Sequence, residues 1–162
     1  MRDFVIRDAR MPDELGAVRR LFEEYEASLD VDLCFQNFAQ ELAGLPGAYA
    51  APHGCLLLAV AGDDIAGCVA LRALEAAAGL RPMGEVKRLY VRPHQRGKGL
   101  GRALAQAAIA RARGVGYPEI KLDTLAAMAE ARALYTTLGF RECAPYYDNP
   151  LPGVAYMALA LD

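Results

Sequence analysis

The sequence predicts a mixed α/β domain built around one sheet. Three observations carry that prediction. Short alternating or wholly apolar runs occur at 3–8, 55–61, 65–74, 85–91 and 119–123. Apolar residues recur at helical spacing over 15–25, 102–113 and 126–138. In the second half of the chain the two kinds exchange regularly, which is the order that buries a sheet under helices. The 162 residues suit a single domain spanning 1–162, long enough to bury a core without metal or disulfide staples.

Each element has a local reason. Residues 3–8 (DFVIRD) alternate and form the first strand. Pro12, Asp13 and Glu14 open a helix, because proline fits a first turn and acids suit the positive helix end. Leu15, Val18, Leu21, Phe22 and Tyr25 continue it. A short helix over 35–42 is broken by Leu45-Pro46-Gly47. Residues 55–61 form an apolar strand, Gly62-Asp63-Asp64 a turn, and 65–74 the hairpin partner. The loop 77–84 leads into strand 85–91, which Arg92-Pro93 ends. After glycines at 97–101 comes helix 102–113, stopped by Gly114 and Gly116. Strand 119–123, helix 126–138 ending at Gly139, and strands 140–143 and 154–161 complete the chain.

Composition excludes several functions. No apolar run approaches the roughly 20 residues of a bilayer span. The start Met1-Arg2-Asp3-Phe4 lacks the basic head and apolar run of a signal peptide, so a soluble, cytoplasmic protein is expected. Cys34, Cys55, Cys68 and Cys143 form no CxxC pair and only two histidines accompany them, so reduced thiols and no metal site are expected. Residues 1–50 hold five arginines against ten acids, whereas 81–121 hold ten basic residues against two acids. A basic segment inside an acidic chain suits a local anionic ligand rather than nucleic acid.

That ligand has a cradle. In Val91-Arg92-Pro93-His94-Gln95-Arg96-Gly97-Lys98-Gly99-Leu100-Gly101-Arg102 a strand runs through a glycine loop into a helix. Glycines let a backbone approach a ligand closely, and the first helical N–H groups have no internal partner. Arg96, Lys98 and Arg102 add positive charge, so a phosphate or pyrophosphate fits. A Walker loop is excluded, since Arg92 stands at its first glycine and Gly99 at its Ser or Thr. A Rossmann fingerprint counted from Gly97 meets Arg102 where it needs glycine.

The pattern [QR]xxGx[GA] does fit, at Arg96, Gly99 and Gly101. Downstream, Ala131-Arg132-Ala133-Leu134-Tyr135-Thr136-Thr137-Leu138-Gly139-Phe140 matches AxxLYxxxGF. With these two motifs in this order, residues 85–140 resemble the GCN5-related N-acetyltransferase (GNAT) superfamily. The resemblance implies one central, mostly antiparallel twisted sheet, splayed at its middle strands and flanked by about four helices. It implies acetyl-CoA as co-substrate, no metal, and direct attack of an amine on the thioester through a tetrahedral intermediate. Leu89 and Val91 would hold the pantetheine arm by their backbones, the Val91 N–H also polarising the carbonyl. The pyrophosphate would lie across Arg96, Gly97, Lys98, Gly99, Gly101 and Arg102. Tyr135 would protonate the departing thiolate, its ordinary pKa near 10 keeping it protonated at neutral pH.

Glu85 is the base favoured by the sequence. It lies six residues before Val91, a parity that puts both on one strand face provided no bulge intervenes. Asp123 is the alternative, unless it caps helix 126–138 together with Thr124. His94 reads as a structural or exposed residue. Glu23, Glu24, Glu26, Asp30, Asp32 and Glu41 form an acidic stretch that would suit a cationic amine or basic peptide, or simply face solvent. Tyr146-Tyr147-Asp148-Asn149-Pro150 either walls the acceptor pocket or makes a wide hairpin loop. The acceptor, small molecule or protein, stays open, as does pairing into a homodimer; no membrane partner is expected. A non-catalytic acyl-CoA sensor or partner-binding module is the alternative function.

Overall fold

The computed structural model describes residues 3–29, 33, 37–125 and 127–161. Those residues form a seven-stranded sheet and four helices. The elements are β1 (Val5–Asp8), α1 (Leu15–Leu29), α2 (Phe38–Gly44), β2 (Cys55–Ala61), β3 (Asp64–Ala73), β4 (Gly84–Val91), α3 (Leu100–Val115), β5 (Glu119–Leu125), α4 (Ala129–Thr137), β6 (Arg141–Glu142) and β7 (Val154–Ala160). The strand order is β1-β2-β3-β4-β5-β7-β6. Neighbours run antiparallel except β4 and β5, which are parallel.

Strand alternation sorts side chains onto two faces. Leu57, Ala59, Leu71, Ile120 and Leu122 point to the face covered by α3 and α4, with Leu104, Ile109 and Phe140. Leu58, Cys68 and Ala70 point to the opposite face, under Val18, Leu21 and Phe22 of α1 and Phe38 of α2. The start of α1 is pinned to β1 by a forked pair, Arg7 donating to Glu14 at 2.8 and 2.9 Å. Glu14 also accepts the Arg10 N–H at 2.7 Å.

Several boundaries differ from the sequence reading, each for a local reason. Helix α3 begins at Leu100 rather than 102, because Gly99 itself takes the N-cap position with φ 82° and accepts the Ala103 N–H. It runs through Gly114 and stops at Gly116, whose φ of 99° lets its N–H reach the carbonyls of Ala112 and Arg113. Helix α4 starts at Ala129, not 126, since a turn from Leu125 to the Met128 N–H comes first; Ala126 lies outside the described residues. Helix α2 starts at Phe38, and the predicted start at Phe35 is likewise outside them. The strand expected over 140–143 is pared to Arg141–Glu142.

Gly84 explains how β4 meets β5. A Cβ there would lie 2.8 Å from the Tyr117 ring and 3.0 Å from Ile120. Only glycine allows the close contact that begins the parallel pair.

Candidate active site

The parallel pairing of β4 and β5 is confined to Gly84–Ile120 and Glu85–Lys121. Both strands continue, β4 to Val91 and β5 to Leu125, so they part and leave a gap in mid-sheet. The Arg92 N–H points to β3, where it donates to Ala66 at 2.8 Å. Backbone alternation therefore turns Val91, and Leu89 before it, toward the gap. The Val91 carbonyl accepts the Arg96 side chain at 2.9 Å from that side.

A groove of about 330 Å³ continues from this strand end over the glycine loop. Leu89, Val91, Arg96, Gly97, Gly99 and Gly101 all line it. Gly97 and Gly99 each have φ 82°, and a Cβ on either would meet nothing within 4 Å. They expose backbone to the groove where another residue would project a side chain. Ahead of Ala103 the first N–H groups of α3 have no intrahelical acceptor, so the loop and helix end fit a pyrophosphate. Among the described residues the lining includes neither Lys98 nor Arg102. Lys98 donates to Gln95 at 2.9 Å and Arg102 to Thr137 at 3.0 Å.

The loop is braced from beneath by the β2–β3 turn. Asp64 accepts Gln95 and pairs with His94, both at 2.8 Å, and these contacts hold its carboxyl below the usual range. His94 is thus an exposed structural residue. Arg92 forks onto Glu24 of α1 at 3.1 and 2.9 Å.

A second cavity, about 40 Å³, lies between the parted strands. It shares Tyr25, Leu89 and Met128 with the groove, so the two spaces meet at β4. Tyr135 enters it from α4, its ring edge-on to Phe140 with centroids 5.6 Å apart. Burial first, then the neighbouring Tyr25 and Asp123, raise its pKa well above that of a free phenol. Asp123 also lines this cavity and accepts the Tyr147 hydroxyl at 2.7 Å. It does not cap α4: Met128 occupies that N-cap position with no side-chain cap, and Thr124 turns to the Met128 sulfur at 3.8 Å.

The parity argument for Glu85 fails. Between Tyr90 and Lys87, β4 spends three residues where β3 spends two, from Cys68 to Ala70. The extra residue is Arg88, with φ 61°, and the bulge reverses the strand's phase. Leu89 and Val91 pack against the core beneath α3 and α4 together with Val86. Glu85, next to Val86, therefore faces the α1 and α2 side and is 1% exposed. One oxygen accepts Arg72 at 2.8 Å, with Lys87 4.0 Å away, and the other accepts the Tyr146 hydroxyl at 2.6 Å. Among the described residues, Glu85 is absent from the lining of both the groove and the cavity.

The acidic stretch is largely engaged internally. Glu24 pairs with Arg92, Glu41 with Arg88 at 2.8 Å, and Glu26 accepts the Leu33 N–H. Asp30 and Asp32 lie outside the described residues. The 146–151 segment does wall the cavity, through Asn149 and Leu151. Tyr146, Tyr147 and Tyr156 pack edge-on in a triangle with centroids 5.4 to 5.6 Å apart. Sequence reasoning also passed over Lys87, a cavity-lining lysine with a side chain only 7% exposed. Its place in a β strand between Val86 and Arg88 was the available signal.

Among the described residues no group of three or more His, Cys, Asp or Glu gathers as a metal site, and no helix is long and apolar enough to cross a membrane. The chain matches the Acetyltransferase (GNAT) family over residues 15–140. It is 39% identical to an uncharacterized N-acetyltransferase of Schizosaccharomyces pombe, over 96% of this chain and 94% of that one. Its fold is similar to an acetyltransferase from Streptococcus agalactiae, with TM-score 0.77, 20% identity and coverage of 99% and 100% of the two chains. It is also similar to YncA, a putative acetyltransferase from Salmonella typhimurium solved with its cofactor acetyl-CoA, with TM-score 0.75, 23% identity and coverage of 98% and 94%.

Proposed function

The chain belongs to the GNAT acetyltransferase family, and on that premise we propose that it transfers an acetyl group from acetyl-CoA to a primary amine. The observation that carries this reading is the meeting of two spaces at β4: an anion cradle on one side, and on the other a cavity holding a protonated phenol and a carboxylate. Acetyl-CoA supplies the activated acyl group and a thiolate leaving group, and the amine attacks the thioester carbonyl directly.

The chain's own residues divide the work. Gly97, Gly99, Gly101 and the first N–H groups of α3 hold the pyrophosphate, with Arg96, Lys98 and Arg102 supplying the surrounding positive charge. Leu89 and Val91 offer unpaired strand edge to the pantetheine amides, and the Val91 N–H donates to the carbonyl oxygen as charge develops there. Tyr135 stays protonated at neutral pH and donates to the thiolate. Asp123 accepts the ammonium proton, directly or through water, with Tyr147 fixing its orientation. Glu85, the base suggested by spacing, takes a positioning role. It ties Arg72 of β3 to Tyr146 and so anchors the aromatic wall. The free thiols of Cys55, Cys68 and Cys143 suit a reducing cytoplasm.

Thermal melting tests the reading. Acetyl-CoA at about 100 times its dissociation constant adds roughly 2.7 kcal/mol to native stability, a rise of several degrees for a domain of this size. ATP and NAD should give no such rise. Equal shifts with all three, or none with acetyl-CoA, would refute the assignment.

A further inference from the structure

We propose that Tyr25 of α1 is a further catalytic residue: its hydroxyl donates to the thioester carbonyl oxygen of acetyl-CoA and, with the Val91 N–H, holds the oxyanion of the tetrahedral intermediate. The inference rests on the acetyltransferase reading and adds a group to that same site.

Helical spacing brings Tyr25 to the place. Val18, Leu21 and Phe22 form the buried stripe of α1, and Tyr25 continues that stripe one turn past Leu21. There it lines both the cavity between the parted strands and the groove over the glycine loop. Among the described residues only Tyr25, Leu89 and Met128 line both spaces. Leu89 and Met128 bring apolar side chains, so Tyr25 supplies the hydroxyl at the junction. That junction is where a cofactor held in the groove presents its acyl group to an amine in the cavity. The Tyr25 ring is fixed there, edge-on to Tyr90 with centroids 6.4 Å apart and with the Arg88 guanidinium over it at 5.8 Å.

The hydroxyl lies among the polar groups of the cavity. Burial foremost pushes its pKa up to about 12; the Arg88 charge opposes that rise and Asp123 adds to it. Tyr25 in turn raises Tyr135. Tyr25 therefore keeps its proton at neutral pH and can offer it as a hydrogen bond. Other cavity side chains are engaged elsewhere: Arg88 forks onto Glu41, Asn149 donates to Tyr147, and Thr124 turns to Met128. Lys87 lies 4.0 Å from Glu85. As the amine nitrogen bonds to the carbonyl carbon, the C=O π pair moves onto oxygen, between the Val91 N–H and the Tyr25 O–H. No proton leaves Tyr25. The pair returns as the C–S bond breaks; sulfur takes the bonding electrons and then the Tyr135 proton, while Asp123 takes the ammonium proton. Donors already aimed at the oxygen where charge develops lower such a barrier.

The test reads the carbonyl itself, by isotope-edited infrared difference spectra of carbonyl-labelled acetyl-CoA on the wild type, Tyr25→Phe and Tyr135→Phe. Phenylalanine keeps the ring contacts of Tyr25 and removes only the donor. The wild type should lower the carbonyl stretch from that of free acetyl-CoA. Tyr25→Phe should return it partway, since the Val91 N–H remains, and Tyr135→Phe should leave it as in the wild type. The band needs no acceptor, so it decides before the amine is known. With any amine that the wild type acetylates, Tyr25→Phe should lower kcat by roughly 100-fold, with KM for acetyl-CoA and the acetyl-CoA melting shift little changed. A wild-type band in the folded variant, comparable turnover, or a loss carried wholly by KM overturns the inference. If Tyr25→Phe does not fold, Tyr25→Met takes its place under the same outcomes. Any of these failures beside a normal acetyl-CoA melting shift leaves the cofactor assignment standing. No shift in the wild type removes both.

Discussion

Arg88 of β4 grips Glu41 of α2 through two bonds of 2.9 and 2.8 Å, across 47 residues of sequence. Its guanidinium also lies over the rings of Phe38 and Tyr25, at 5.2 and 5.8 Å. These contacts hold a non-glycine residue at φ 61°, a conformation that costs on the order of 1–2 kcal/mol. Glu41→Gln should therefore lower stability by about 3 kcal/mol, because it leaves a buried cation without its carboxylate. Urea unfolding at neutral pH measures this. A change below about 0.5 kcal/mol would show that the pair does not maintain the bulge.

Tyr135→Phe removes a single oxygen from the cavity. Turnover should fall by roughly two to three orders of magnitude if the phenol protonates the thiolate. The acetyl-CoA melting shift should stay within a degree of the wild type. Comparable turnover in the variant would assign the proton to another donor.

Gly99→Glu puts a carboxylate into open groove, since nothing lies within 4 Å of a Cβ at that position. The left-handed φ adds roughly 1 kcal/mol of strain, so the protein should still fold. Its acetyl-CoA shift should vanish through steric filling and repulsion of the pyrophosphate. A folded variant with wild-type affinity would contradict the cradle.

The Arg7–Glu14 fork predicts a pH signature. The Arg7 side chain foremost, with the Arg10 N–H, draws the Glu14 pKa down to about 2. A carboxyl lowered on folding stabilises above its unfolded pKa, near 4.5, and that stability fades as pH falls toward about 2. Glu14→Gln should cost about 1 kcal/mol at pH 7, and progressively less as the pH falls through about 2. Melting series from pH 7 downward should converge; parallel curves would refute it.

The shape of the glycine-loop side of the candidate site was legible because it is written in local chemistry. Gly97, Gly99, Gly101 and Tyr135 sit in short motifs whose spacing reflects a loop, a helix start and a helix face. The cavity side was not legible. The phase of β4 depends on Arg88, which carries no turn residue's signature and is set by a partner on α2. Spacing therefore assigned Glu85 to the wrong face. Tyr146 and Tyr147 read equally as a pocket wall or a wide hairpin loop, and nothing local shows that their hydroxyls end on Glu85 and Asp123, 61 and 24 residues away. Acids counted as an exposed rim, such as Glu24 and Glu41, are matched by arginines that only the folded sheet brings near.

Asp64 opens β3 beside the hairpin turn, remote in sequence from the glycine loop, yet it fixes His94 and Gln95, and through Gln95 reaches Lys98. The loop's shape is thus settled when the β2–β3 hairpin forms, before any ligand arrives. Less motional freedom remains to be surrendered on association, which favours affinity without adding a contact. Loosening that hairpin, by lengthening its turn or replacing Asp64, would weaken the cradle as an entropic loss, felt by every ligand that carries the pyrophosphate and blind to the acyl group it delivers.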